Sequence, residues 1–321
     1  MKKALKITGK ILLGLLILLA AVLIITTVYN QIMLKKNKAL YETPLGQLVE
    51  VDGHNMSIYT EGEGEHTIVF LSGYGTASPI LDFKPLYSRL SDENRIAVVE
   101  KFGYGFSDEI DGERDMDTIL RQDREALQKA GIEAPYVLCP HSFSGYEATL
   151  WAQKYPEEVE AIVGLDICTP NCKDKSTLTA EHDSMKKILP IYRFLQYTGG
   201  LRIFNEDESG TLTAEEKQIY TELNCKKSLN DTVIREGSND LELALYDEFD
   251  ASPLPTVPMI MYVSADNDGD ELWVGGMQAM VDASENGQLI KLDCGHYVHN
   301  FEYERISADI KELIAELNSR S

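Results

Sequence analysis

Six short apolar runs set the limits on what this chain can fold into. Residues 67–71, 96–100, 136–139, 161–166, 259–264 and 288–292 are dense in Val, Ile, Leu and Met, as strands buried on both faces of a parallel sheet must be. Helix-period segments separate them at 80–90, 117–130, 144–154, 271–283 and 302–317. Ahead of the series, 47–51 and 56–61 read as a hairpin around Asp52-Gly53. Strand, helix and strand in regular order predict an α/β fold, a mostly parallel, doubly wound sheet that holds ligands beyond the carboxyl ends of its strands.

That rhythm breaks between about residues 168 and 255. The stretch is helical in pattern and carries Tyr192, Phe194, Tyr197, Phe204 and Tyr220, before Pro253, Pro255 and Pro258 lead back into a strand. An insertion of that length between two sheet strands reads as a helical cap over 169–251 rather than a loop. It divides a core of 46–168 and 252–321.

The other departure is at the amino terminus. Residues 11–29 carry no charge, close to the roughly 20 apolar residues needed to cross a bilayer. The run exceeds the usual signal-peptide core and no small-x-small cleavage site follows, so it reads as an uncleaved transmembrane signal anchor, with a cleaved signal peptide as the alternative. A basic tail (1–10) precedes it and a linker (30–45) follows. Lys2, Lys3, Lys6 and Lys10 lie before the span and Lys35, Lys36 and Lys38 after it. This small excess predicts a single-pass cell-membrane protein with an extracytoplasmic domain. Residues 1–41 contain no acid, so the rest of the chain, with 23 basic and 52 acidic residues, is far more negative than the overall −22 suggests. Such a domain repels nucleic acid, which is excluded as a partner.

The chemistry concentrates in residues 136–146, Tyr-Val-Leu-Cys-Pro-His-Ser-Phe-Ser-Gly-Tyr. A strand, a tight turn and a helix would place Ser142 at the apex, its hydroxyl raised above the sheet. Small residues are needed two positions either side of such a serine; here Pro140 and Ser144 stand there. Three further motifs occur in order: Phe70-Leu-Ser-Gly-Tyr-Gly after one strand, Val99-Glu-Lys-Phe-Gly-Tyr-Gly-Phe-Ser-Asp after the next, and Asp293-Cys-Gly-His296 after the last.

Together these motifs resemble the α/β-hydrolase superfamily over about residues 46–168 and 252–318. The departures are Ser72 for the usual His, Glu100 for Asp, and Pro140 and Ser144 at the elbow. The resemblance implies Ser142 as nucleophile, His296 as its base, and the backbone N–H groups of Tyr74 and Phe143 as an oxyanion hole. A serine nucleophile disfavours the dehalogenase and epoxide-hydrolase branches. Families of this fold place the triad acid after the sixth core strand or, more often, after the seventh. After the seventh, Ser264-Ala-Asp-Asn-Asp offers Asp266 and Asp268, yet puts Asn267 in the usual register. After the sixth, Gly164-Leu-Asp-Ile-Cys-Thr-Pro resembles the G-L-D-x-x-x-P segment of pancreatic-type lipases, making Asp166 the first candidate and Asp266 the alternative.

Other signals are weaker. Residues 205–216 have the outline of a calcium loop, but Thr213 and Glu216 fit a helix-capping box better. No metal and no diffusible cofactor is expected. Cys139, Cys168, Cys172, Cys225 and Cys294 match no zinc pattern; Cys172 and Cys225 are a conceivable pair within the cap. His299 reads as a supporting or surface residue and His141 as packing. The expectation is a membrane-anchored serine hydrolase acting on a small-molecule acyl substrate through a covalent acyl-enzyme. A proline-iminopeptidase-like peptidase and a non-catalytic ligand-binding receptor on the same fold are the alternatives.

Overall fold

The computed structural model describes residues 2–112, 114–204, 207–237, 244–245, 249 and 252–320. Among the described residues, eight strands form one sheet: β1 (Gln47–Val51), β2 (His54–Glu61), β3 (Thr67–Leu71), β4 (Arg95–Glu100), β5 (Tyr136–Pro140), β6 (Val159–Leu165), β7 (Met259–Val263) and β8 (Gly287–Lys291). Their order is β1-β2-β4-β3-β5-β6-β7-β8. The β1–β2 and β2–β4 pairs are antiparallel and all later pairs parallel. Asp52 and Gly53 turn the hairpin, both at positive φ, which matches the twist of its strands.

Alternation along each strand feeds two cores on opposite faces. Val69 and Leu71 of β3 join one, with residues of α5 (Met116–Lys129), α6 (Ser144–Lys154) and α11 (Glu271–Ala283); Ile68 and Phe70 join the other, with residues of α4 (Lys84–Tyr87) and α13 (Tyr303–Arg320). The segment 80–90, expected as one helix, is two short ones, α3 (Pro79–Asp82) and α4. Pro85 explains the break, because it lacks the N–H that would continue the α3 ladder. Between β6 and β7 the chain forms α7 (Lys175–Thr198), α8 (Leu201–Phe204), α9 (Ala214–Lys227) and α10 (Asp231–Glu236). Thr213 and Glu216 close a capping box on α9; Asn205 and Glu206, the start of the calcium-loop outline, lie outside the described residues. All five cysteines are free, so Cys172 and Cys225 are not paired.

The amino-terminal segment departs from expectation. The apolar run continues without a break into the stretch expected as a linker, giving α1 (Lys2–Lys36), followed by α2 (Lys38–Glu42). α1 contacts α7 and α9, and α2 contacts α9. Side-chain amides explain the contact. Asn30 is buried, and its Nδ2 donates to the carbonyls of Gln196 and Tyr197 at 3.0 and 3.1 Å. Arg202 Nε donates to Asn30 Oδ1 at 2.6 Å, and its other nitrogens grip Glu222, to which Asn37 also donates. Residues 30–42, helical on either side of Asn37, therefore form a strut tied to the insertion.

A second polar cluster joins the insertion to the core. Glu236 at the end of α10 is fully buried and meets Lys101 Nζ at 2.6 Å, Arg114 at 2.9 Å and the Tyr104 hydroxyl at 3.1 Å. Burial alone would raise its carboxyl, but the two cations outweigh that and hold it below the usual range. Nearby, burial and then the Glu147 carboxyl push Asp123 far above it. Burial raises the Glu147 carboxyl as well. Replacing Glu236 with Ala strands Lys101 and Arg114 in the interior. The expected loss is about 3–5 kcal/mol of unfolding free energy, read from urea denaturation of the full chain in detergent beside wild type.

Candidate active site

β5 ends at Pro140, and the chain then reverses so sharply that Ser142 takes a φ of +53°. That left-handed conformation is strained for a residue with a Cβ and is maintained by its surroundings. His141 N donates to Leu71 O at 3.0 Å, Ser142 N to Leu165 O at 3.3 Å, and Cys168 N to Ser142 O at 2.9 Å. The carboxyl ends of β3 and β6 therefore hold the turn from both sides. A Cβ on Gly73 would come within 2.9 Å of both Ser142 Cβ and His141 Nδ1, so only glycine lets the β3 loop approach this closely. Ser144, where related elbows carry glycine, is fully buried. Its hydroxyl donates toward Leu71 O and His141 O at 2.6 and 2.9 Å and accepts from His141 N at 3.1 Å. A small polar residue here replaces glycine by stitching the turn to β3.

A second departure, Glu100, also has a physical account. Glu100 Oε2 accepts from Phe106 N at 2.9 Å inside the β4 turn, and a Cβ on Gly105 would fall 1.9 Å from Glu100 Oε1. The longer carboxylate is accommodated by that glycine, and burial pushes its carboxyl up to about 7.

Three separate loops meet at Ser142. His296 Nε2 lies 2.8 Å from Ser142 Oγ, and His296 Nδ1 lies 2.7 Å from Asp166 Oδ2. Asp166 is fully buried, follows β6 directly and has a φ of +50°. Besides the imidazole it accepts from Ser264 N and Oγ at 3.2 and 2.5 Å, Asn267 Nδ2 at 2.8 Å and Trp273 Nε1 at 3.0 Å. Burial pushes its carboxyl up, but the bonds from His296, Ser264 and Asn267 outweigh that and hold it below the ordinary carboxylate range. Asp266 touches the same loop differently, accepting from the backbone N–H of His296 at 2.9 Å. Asp268 meets Lys291 only through its backbone carbonyl, at 3.3 Å.

Two further histidines, His141 and His299, stand beside this loop. His141 is buried, with Nε2 at 3.2 Å from the carbonyl of His296. Burial, then the neighbouring His299 and His296, lower its pKa far below the usual imidazole value, so it is neutral. His299 is fully buried, not at the surface, and bonds to Asp82 at 2.8 Å. Tyr74 and Phe143 border a cavity of about 400 Å³ that also exposes Ser142 and His296, with Trp273 and Met185 among its apolar walls. His182 and Lys173 from the insertion also line it, and neither carries a sequence motif that would have singled it out. Ser264, Asn267 and Trp273 likewise emerge only from the fold, although the Asn267 register was a visible hint.

No protein-family model matches the chain. The chain is 38% identical over 238 residues to the uncharacterized protein YbdG of Bacillus subtilis, covering 72% of each. It is 35% identical over 111 residues to the pimeloyl-[acyl-carrier protein] methyl ester esterase of Shewanella woodyi, 34% of this chain and 38% of that protein. Among solved structures, the epoxide hydrolase CorEH superposes with a TM-score of 0.65 at 17% identity, covering 84% of this chain and 98% of that one. A thermophilic esterase from Thermogutta terrifontis superposes with a TM-score of 0.61 at 18% identity, covering 84% and 99%.

A carboxylate whose folded pKa is depressed stabilises the fold above its unfolded pKa and loses that contribution as pH falls through the folded value. Asp166→Asn should therefore be less stable than wild type at neutral pH. The gap should narrow as the pH drops below about 4, the unfolded aspartate value, in parallel denaturation curves across pH.

Proposed function

The chain has the α/β-hydrolase fold, and we propose that it is a serine hydrolase of that superfamily that cleaves esters or related acyl bonds, held at a membrane by α1. The observation that carries this reading is the unbroken hydrogen-bond chain from Ser142 Oγ through His296 to buried Asp166, opening into a cavity whose walls mix polar and apolar side chains. Ser142 Oγ attacks the acyl carbonyl as His296 Nε2 takes its proton. Asp166 accepts from His296 Nδ1–H, fixing the tautomer and stabilising the imidazolium. The backbone N–H groups of Tyr74 and Phe143 receive the oxyanion. Collapse expels the leaving group with the proton returned by His296, and water then attacks the acyl-Ser142 ester with the same base.

Epoxide hydrolysis and dehalogenation by this fold use a carboxylate nucleophile, and serine at the elbow favours acyl transfer. The aminopeptidase alternative would use cap acids to bind a substrate amine. Of Glu181, Asp183 and Glu206, Glu181 at the cavity pairs with Lys173 at 2.6 Å, and Glu206 lies outside the described residues. Membrane attachment rests on α1, apolar and long enough to span a bilayer.

Two experiments test the reading. A fluorophosphonate probe should label wild type and leave Ser142→Ala unlabelled, with ester turnover down by about 10⁴-fold or more and the circular dichroism spectrum unchanged; normal turnover in that variant would refute it. Against a dissolved ester, Asp166→Asn should lose about 10⁴-fold in kcat, as in the serine-protease precedent. Asp266→Asn should lose much less, since its carboxylate bonds to the His296 backbone, and Asp268→Asn should be nearly neutral. A crippled Asp266→Asn beside an active Asp166→Asn would move the acid to the loop after β7.

A further inference from the structure

Helix α7 has two halves with different surroundings. Its first half supplies Glu181, His182 and Met185 to the cavity over Ser142. Its second half exposes Ile188, Ile191, Phe194 and Tyr197, each at least half accessible, and Ile203 of α8 is 65% exposed. Spaced three residues apart, the four on α7 spread over about half the circumference of the helix, and large apolar side chains exposed at such density ordinarily face a partner.

The packing of α1 indicates which partner. At the end of its apolar run, Leu23, Thr26 and Thr27 are partly covered and Asn30 is buried, while Ile24, Ile25, Val28 and Tyr29 between them are exposed. The covered residues recur at helical spacing, so one face of α1 rests on protein. What it rests on is the turn between α7 and α8: a Cβ on Gly199 would meet Asn30 Cβ at 2.9 Å and the Thr26 carbonyl at 3.3 Å. From Leu23 to Asn30 is about 10 Å of helix. If α1 crosses a bilayer, the protein packed against that length lies at the same depth.

We infer that the exposed apolar face of α7 and α8 is seated in the bilayer beside α1, and that the cavity takes its acyl substrate, a lipid ester, from that membrane. The amides and guanidinium that bind Asn30 fix the register of α1 on the cap, so the face and the span enter the lipid as one body. Hydrophobic transfer supplies the attraction; the strongly acidic domain is repelled by anionic headgroups. Met185 of the cavity wall lies about 18 Å along the same helix from Tyr197, so the cavity mouth stands near the headgroups. There an ester can reach Ser142 while part of its chain remains in lipid.

This inference rests on the anchor and on the serine-hydrolase reading, and the test separates the three. The full chain is reconstituted in phosphatidylcholine vesicles with or without brominated acyl chains, carrying one added tryptophan at a time. Val22→Trp reports the anchor, Phe194→Trp and Ile203→Trp the cap face, and Leu48→Trp, exposed on β1, a site away from the cap. Brominated lipid should quench the fluorescence added at 22, 194 and 203 and spare that at 48. Quenching at 22 without quenching at 194 and 203 would overturn the seated cap and leave the anchor standing. An unquenched Val22→Trp would overturn the anchor and this inference with it. The combined variant Phe194→Ser, Ile203→Ser should lose at least about tenfold in rate on a vesicle-embedded lipid ester while its kcat/KM for a dissolved short-chain ester stays at the wild-type value. Equal effects on both would exclude uptake from the membrane, and failure of wild type on the dissolved ester would refute the hydrolase reading alone.

Discussion

A carboxylate withdrawn from water is tolerated only where donors replace the water it loses. Asp166 is completely buried and receives five such bonds, from Ser264 N and Oγ, Asn267, Trp273 and His296. These donors belong to the loop after β7, the first turn of α11 and the loop after β8. One charge at the end of β6 therefore gathers the carboxyl ends of three neighbouring strands. The sheet brings those ends together, and the carboxylate sets how they pack. His296 is the donor whose opposite nitrogen faces solvent and Ser142, so the geometry of the reacting pair derives from a charge on the far side of the ring.

Much of this was legible in the residue pattern, for identifiable reasons. Strands buried on both faces leave continuous apolar runs, and β3 coincides with the run 67–71 to the residue. The elbow was recognisable despite Pro140 and Ser144 because a strand, a turn and a helix constrain residue size locally. The preference for Asp166 over Asp266 rests on a resemblance of the Gly164-Leu-Asp166 segment and not on spacing, since both loops end above the same face of the sheet and spacing carries no information on which carboxylate meets a ring and which a backbone N–H. The strut was missed for a related reason. Residues 30–42 look like an ordinary polar linker, and their helical state depends on partners at 196, 197, 202 and 222.

The buried ionic cluster was the least visible feature. Lys101, Arg114, Asp123, Glu147 and Glu236 are spread over the chain, and each alone reads as a surface charge. Their assembly makes the cap an electrostatic extension of the core. Tyr104, which donates to Glu236, also accepts from Gly75 N at 3.3 Å in the loop carrying Tyr74, and Gly237 packs against the Tyr74 ring. The end of α10 thus bears directly on one wall of the cavity. Cap and site share a boundary condition, which separates this arrangement from a lid that swings freely over its pocket.

The strut also acts as a ruler and a compass. In an unbroken helix each residue contributes about 1.5 Å of height and 100° of rotation. Asn37 follows the last residue of α1, its N–H still bonded to the Met33 carbonyl, and lies seven residues and nearly two full turns from Asn30, so both amides face the cap. A single residue added between them would turn one contact away from the other by more than a quarter of a circle. A residue added further toward the amino terminus would leave the joint intact and lengthen the helix beyond it. Drift in sequence is thereby confined to one dimension: the apolar helix can lengthen or shorten, while the heading of the catalytic face stays locked to its axis.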